Sequence, residues 1–343
     1  MLATMEHALH NRFEEEYAEA KRNHDEGRSK KALNLLKRMR ETYTDKGALC
    51  RMLVLEGKIN YDNNHWKKAI KILSEALDIC EDSLLRIEIL NGLGRCFWRL
   101  GNFEKAVEYL TTAGAYIATI EDKAYAGESN INLGNVYLSM GDYNSAIRHY
   151  EMAISMLSEI GDNYKLARAY NNIGEANKLA GNVSEAIHYY LKSRDLGMQS
   201  GNIRIWGYAT ENLAECYAKI HGFEDALRYA AEALEYFKRI GDGMMIGTCY
   251  MAYGMIYREM KDFENAEKYF KKAFTYFKKI SALSEMVLTY MEYSLLYIKQ
   301  EKYGVAYKIL KNAERIAKKI KAENVLEKIR GEMEKCKSMG EAG

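Results

Sequence analysis

The sequence predicts an all-α chain: a solenoid of eight antiparallel helix pairs closed by a C-terminal capping helix. Three observations predict it. A small residue recurs at fixed spacing: Gly94, Gly134, Gly174, Ala214, Gly254 and Ser294 stand forty residues apart, and Ala20 and Gly57 lead to Gly94 in steps of thirty-seven. Alanine follows each of these anchors by twelve residues, at Ala32, Ala69, Ala106, Ala146, Ala186, Ala226, Ala266 and Ala306. The 343 residues include no proline but 17 Met and 27 Tyr, a composition that suits helices with adaptable packing. Self-similarity at a fixed period marks units that pack only on their neighbours.

One unit is stated most clearly between Asn130 and Ala153. Gly134 and Tyr137, then Ala146, Tyr150 and Ala153, are spaced by three or four residues within two segments, which places each set on one helical face. Gly141-Asp142 separates the segments. Glycine suits the left-handed position after a helix, and aspartate caps the next one. The same phase puts turns between the two helices of a unit at Gly27, Asn64, Gly101, Gly141, Gly181, His221, Lys261 and Glu301. Turns between units fall at Glu121, Gly161, Gly201, Gly241 and Ser281.

In chain order, residues 1–9 read as a frayed lead-in. The first helix follows from about Asn11 to His24, with Glu14, Glu15 and Glu16 favoured by the dipole near its start. The units run over 11–47, 48–84, 85–124, 125–164, 165–204, 205–244, 245–284 and 285–321. Residues 322–339 read as an amphipathic cap carrying Val325, Leu326, Ile329 and Met333 on one stripe, because the last unit otherwise exposes an apolar face. No linker or second domain interrupts 1–343.

On Leu133-Gly134-x-x-Tyr137 followed by Ala146-x-x-x-Tyr150, the chain resembles the tetratricopeptide repeat family over roughly residues 10 to 320. It departs from the family in lacking the usual proline, and its units exceed the family's length of about 34 residues by three or six. The extra length is expected in the second helix and the start of the next first helix, since insertions of three or six nearly preserve helical phase. The long units look most like those of polarity-adaptor and kinesin-light-chain scaffolds, and of prokaryotic regulators with similar repeats. The resemblance implies a right-handed superhelix whose first helices line a concave groove. Inward positions would lie six and three residues before each anchor and one and four after it, with asparagine often two before.

Those phases give Asn91, Arg95, Asn132, Asn135, Arg168, Asn171, Asn172, Glu211 and Asn212 as candidate peptide-binding residues. Asparagine is a poor helix former, so several on one face suggest a use for the amide. It can bridge the N–H and C=O of an extended peptide, while arginine holds carboxylates; asparagines in the related scaffolds clamp peptides at these phases. The alternative is that the asparagines bond to neighbouring helices and stabilise the stack. A carboxylate clamp is not implied, because Ile131, Asn135, Asn171 and Glu175 break its pattern after Asn91 and Arg95. Farther on, the same phases carry Met251, Met255, Met291 and Leu295, an apolar groove that could take an amphipathic segment. The chain's own terminal helix, or a second copy forming a homodimer through the C-terminal units, could equally cover it.

Charge narrows the partner. The formal net charge of +2 gives no nucleic-acid footprint. Residues 101–255 carry 13 basic against 19 acidic side chains and residues 256–343 the reverse, 19 against 13, which would steer partners or solvate helix faces. No apolar run is long enough to span a membrane, and no signal peptide is visible, so cytoplasmic residence is expected. The six cysteines form no CxxC pair and read as reduced core residues. No phosphate loop, serine elbow, Cys–His motif or metal-ligand set stands out, so neither enzyme activity nor a cofactor is expected. A non-catalytic scaffold for a protein or peptide partner leads. The rival is a sensory regulator whose superhelix binds a small peptide or metabolite and alters a partner's activity.

Overall fold

The computed structural model describes residues 2–320 and 322–341, with side chains from Leu9 to Gly340 except Lys321. Met1, Lys321 and residues 342–343, which belong to the expected lead-in, the end of the eighth unit and the C-terminus, lie outside the described residues. Seventeen α-helices and no strand are found among the described residues. They run as α1 (Leu2–Asp25) with α2 (Ser29–Thr42), α3 (Lys46–Asp62) with α4 (Trp66–Ile79), and α5 (Ser83–Arg99) with α6 (Phe103–Ile120). Next come α7 (Lys123–Met140) with α8 (Tyr143–Ile160), α9 (Asn163–Ala180) with α10 (Val183–Gln199), and α11 (Ile203–Lys219) with α12 (Phe223–Ile240). The series ends with α13 (Gly243–Glu259) and α14 (Phe263–Lys279), α15 (Leu283–Ile298) and α16 (Tyr303–Lys319), and the single helix α17 (Glu323–Glu341). No helix among the described residues is long and apolar enough to cross a membrane.

Two expectations are corrected. The lead-in is helical from Leu2, because Leu2 to His10 holds good helix formers and neither glycine nor proline. The extra length of the later units lies in the second helix alone. It grows from 14 residues in α2 and α4 to 18 in α6 and α8, whereas α3, α5, α11 and α13 keep 17, α7 and α9 have 18, and all six start eleven residues before their anchors.

The turns follow from local chemistry. Every turn residue named from the repeat phase has positive φ, from Gly27 at 75° to Glu301 at 58°. Gly141 reaches 80° as the last carbonyls of α7 are closed off, and Asp142 Oδ1 accepts the Ser145 N–H at 3.1 Å to start α8. Asn64, Glu121, His221, Lys261, Ser281 and Glu301 take the same left-handed shape without being glycine; asparagine and histidine tolerate it, whereas the repeat phase imposes it on the others against their preference.

The anchors are small because the second helix presses on them. A Cβ added to Gly134 would lie 2.5 Å from a ring carbon of Tyr150, and one on Gly254 would lie 2.9 Å from Phe270. Each partner stands sixteen residues after its anchor and is fully buried. The alanines at the twelfth position are buried to 0% exposure, as at Ala146 and Ala266. All six cysteines are buried free thiols, and burial pushes those of Cys96 and Cys216 up to about 12.

Contacts divide the chain into two compact units, residues 1–172 and 173–343, with the division inside α9. In the first, α3 packs on α4 and α5, and α5 packs on α6 and α7. In the second, α13 packs on α14 and α15, while α17 closes the series on α16. Leu326, Ile329, Met333 and Cys336 of α17 bury against Leu310, Ala313 and Ala317. The polar remainder of the cap faces water.

Candidate functional site

In the first unit the first helices of successive pairs build one cleft of about 430 Å³. Lys21 of α1, Lys58 and Tyr61 of α3, Glu88, Asn91 and Arg95 of α5, Tyr125 and Glu128 of α7, and Lys165 of α9 line it. These residues fall at common phases. Lys21, Lys58 and Arg95 each follow their anchor by one residue; Glu88 and Glu128 precede theirs by six. The wall is thin where Gly57 and Gly92 lie over Leu73, since a Cβ at either would come within 3 Å of that side chain.

Asn91 is 8% exposed, and its Oδ1 has no hydrogen-bond partner. A buried acceptor without a donor is costly unless something else supplies one. Arg95 lies 4.2 Å over the Tyr61 ring, so its guanidinium is held against the wall. Lys165 pairs with Glu128 at 3.1 Å. Glu88 is open to solvent, but the surrounding protein raises its carboxyl above the usual range. Lys58 opposes that rise, Glu128 adds to it, and Lys21 also opposes it. Four cations and two carboxylates face the cleft, and one cation is already paired.

The predicted residues beyond Arg95 are placed as follows. Asn132 is 7% exposed, with an unpartnered Nδ2. Asn135 Oδ1 accepts both the Tyr150 hydroxyl at 2.7 Å and Asn172 Nδ2 at 3.0 Å, so this amide joins α7, α8 and α9. Arg168 lies 5.8 Å over Tyr164, and Asn171 is half-buried. Only Asn91 and Arg95 of the predicted set line the cleft. Lys21, Lys58, Glu88 and Lys165 were missed; extending the same phases into the first two units would have found the lysines of α1 and α3.

In the second unit a charged network sits on α9 and α11. Lys178, with its side chain 8% exposed, meets Glu175 at 2.8 Å, Glu215 at 2.9 Å and Asn212 Oδ1 at 3.3 Å. Burial would lower the lysine, yet Glu215 and Glu175 hold it above its ordinary value. Glu215 stays below the usual carboxylate range despite burial, because Lys178 and Lys219 favour its charge. Glu211 has no such ion pair: burial first and Glu215 second push it up to about 7. The Tyr190 hydroxyl donates to Glu175 at 2.8 Å from behind, as Tyr150 does to Asn135.

The Met-lined stretch is half-buried. Met251 and Met255 pack against Phe270 and Leu296, and Met291 against the cluster that α17 completes. Leu295 is half-buried on α15, and the Thr289 hydroxyl points at Met251 Sδ at 3.4 Å. Among the described residues no group of three His, Cys, Asp or Glu is placed to hold a metal.

The repeat architecture defines a class, the helical-repeat solenoid proteins. The tetratricopeptide repeat model matches residues 48–113, 125–197 and 207–279, more than half of the sequence, and the chain belongs to that family. No curated protein sequence matches it. Among solved structures, the apo form of the quorum sensor NprR from B. thuringiensis is similar at 16% identity. That match covers 88% of this chain and 86% of that one, with a TM-score of 0.71. A Rap protein complexed with competence and sporulation factor is similar at 11% identity over 96% and 99%, with a TM-score of 0.60. A signal transduction ATPase with numerous domains and a tetratricopeptide repeat sensor, from Pyrococcus horikoshii, matches at 19% identity over 86% of this chain. Its TM-score is 0.65, and this chain spans 45% of its length. At these identities the likeness is one of fold.

Proposed function

We propose that the chain is a non-catalytic interaction scaffold whose first-unit cleft binds an extended segment of a protein or peptide partner. The observation that carries this reading is a cleft lined by the first helices of five pairs, along which Lys21, Lys58 and Arg95 repeat at one phase beside Asn91. Arg95, Lys58 and Lys21 supply cations for the carboxylates of a segment laid along the cleft, with the Asn91 amide at the wall beside them. On this reading Asn132, Asn135, Arg168, Asn171 and Asn172 extend the ligand face in the first unit. Glu211 and Asn212 belong to a separate, acidic contact in the second, and Met251, Met255, Met291 and Leu295 to an apolar one. The test is a native-lysate pull-down with wild type and with Asn91→Ala/Lys58→Ala, read by mass spectrometry. A protein kept by the wild type and lost with the variant, at unchanged melting temperature, is expected; identical sets from both baits would remove the cleft from consideration.

A second reading is favoured by the similar folds whose names call them sensors. In it, filling the cleft changes the shape of the chain. Small-angle scattering with and without the captured partner separates the two: an unchanged radius of gyration fits a scaffold, and compaction fits a sensor.

A further inference from the structure

A different face of the first unit carries a second groove. Twenty residues after the anchor, the second helix of most pairs sends a large side chain toward the next pair. Arg40 pairs with Glu56, and Arg194 pairs with Glu232 while lying 5.9 Å over the Trp206 ring. Phe274 packs 4.3 Å from Tyr290, and Glu314 meets Arg330 at 3.4 Å. In the third pair that position is Gly114, and a Cβ built there would meet nothing within 4 Å.

The missing side chain opens a groove of about 1100 Å³ between α6 and α8, with α7 as its floor. Leu133 and Ala126 form the floor, and Met152 and Met156 form the α8 wall. Met152 is 42% exposed. Midway, His149 stacks on Tyr137 at 5.3 Å and bonds to Asn130 Oδ1 at 2.9 Å, so this polar pair is internally satisfied. The end nearest the α6–α7 turn is acidic. Glu121, Asp122 and Glu159 stand there with Lys123, which pairs with Glu159.

We infer that this groove docks an amphipathic helix of a partner protein, apolar face down, with lysine or arginine at the end beside Glu121 and Glu159. Three features select that occupant. Thr111, Gly114 and Ala118 leave space at each successive turn of α6, which matches side chains spaced by three or four residues on a second helix. Sibling pairs fill the equivalent place with an apolar side chain or arginine in six cases, as at Leu77, Phe274 and Arg194, and with glutamate at Glu314, so an apolar side chain or a long basic one is the commonest fit. Three carboxylates against one ammonium ask for a basic end. The groove lies on the second-helix side and does not depend on the cleft reading.

The test uses the full chain and two fluorescein-labelled synthetic helices of about 18 residues, five turns each. One has leucine and lysine faces, the other leucine and glutamate faces, and binding is read by anisotropy at physiological salt. The leucine–lysine helix is expected to bind more tightly. Gly114→Leu, which inserts the sibling side chain, should weaken it at least about tenfold, or about 1.4 kcal/mol, with unchanged circular dichroism. Ala118→Trp, on the exposed wall, should do the same and serves if Gly114→Leu does not fold. Glu121→Lys should narrow or invert the preference between the two helices, and Asn91→Ala, which alters the separate cleft, should leave binding of these helices to the groove as in wild type. Binding within about twofold of wild type in the folded blocking variants overturns the inference. Equal affinity for the two helices, or loss of binding with Asn91→Ala, overturns it as well.

Discussion

Glu211→Gln offers a quantitative check on the second unit. The Glu211 carboxyl is raised from 4.5 to about 7, first by burial and then by Glu215, with Lys178 pulling the other way. A raised acid binds its proton more tightly in the folded state than in the unfolded one. Its contribution is therefore fully present below about 4.5 and is lost as pH climbs through about 7. At about 1.4 kcal/mol per pH unit the ceiling is about 3 kcal/mol, and partial solvent access brings the expectation to about 2 kcal/mol. Glutamine keeps the shape without the charge. The variant should then be more stable than wild type near pH 8, by about 2 kcal/mol, with the advantage vanishing toward pH 4.5. Urea unfolding at a series of pH values, joined to hydrogen exchange of α11 amides, measures the difference. Parallel pH profiles for the two proteins would refute the environment assigned to Glu211, as would a less stable variant near pH 8.

Two further substitutions probe the packing. Gly134→Ala places a methyl 2.5 Å from the Tyr150 ring; overpacking of about 1–3 kcal/mol should outweigh a helix-propensity gain of about 1 kcal/mol. The same change at Gly114 meets open space and should stabilise by up to about 1 kcal/mol, so thermal melts of the pair should move in opposite directions. Arg258, 7% exposed and bonded to the Glu292 carboxylate at 2.8 Å and its carbonyl at 3.0 Å, should cost about 3 kcal/mol when replaced by alanine. A denaturation midpoint unchanged from wild type would show that water already serves these groups.

Much of the fold was legible because each turn combines two local signals. Gly141-Asp142 is readable from residue chemistry alone, whereas Glu121 and Lys261 become readable only by phase, since neither favours positive φ. The division of extra length between helices was not legible: insertions of three preserve helical phase wherever they fall. At the site, Asn91 and Arg95 were placed on the cleft by phase. Which face-sharing charges pair was not, because spacing alone does not show that Lys178 meets Glu175, Glu215 and Asn212 together. The groove at Gly114 announces itself only as a side chain missing from a repeated position, which a search for motifs passes over.

The packing of each helix onto those one or two places along the chain has a kinetic consequence. Every contact of this kind closes a short loop, so folding can start at any well-packed pair and spread by addition. Opening should run the other way, from the ends inward. The burial of Leu326 and Ile329 of α17 against α16 then sets how often α15 and α16 are released. Amide exchange rates along the second unit should therefore form a gradient that steepens when α17 is removed, while the centre of the unit keeps its protection.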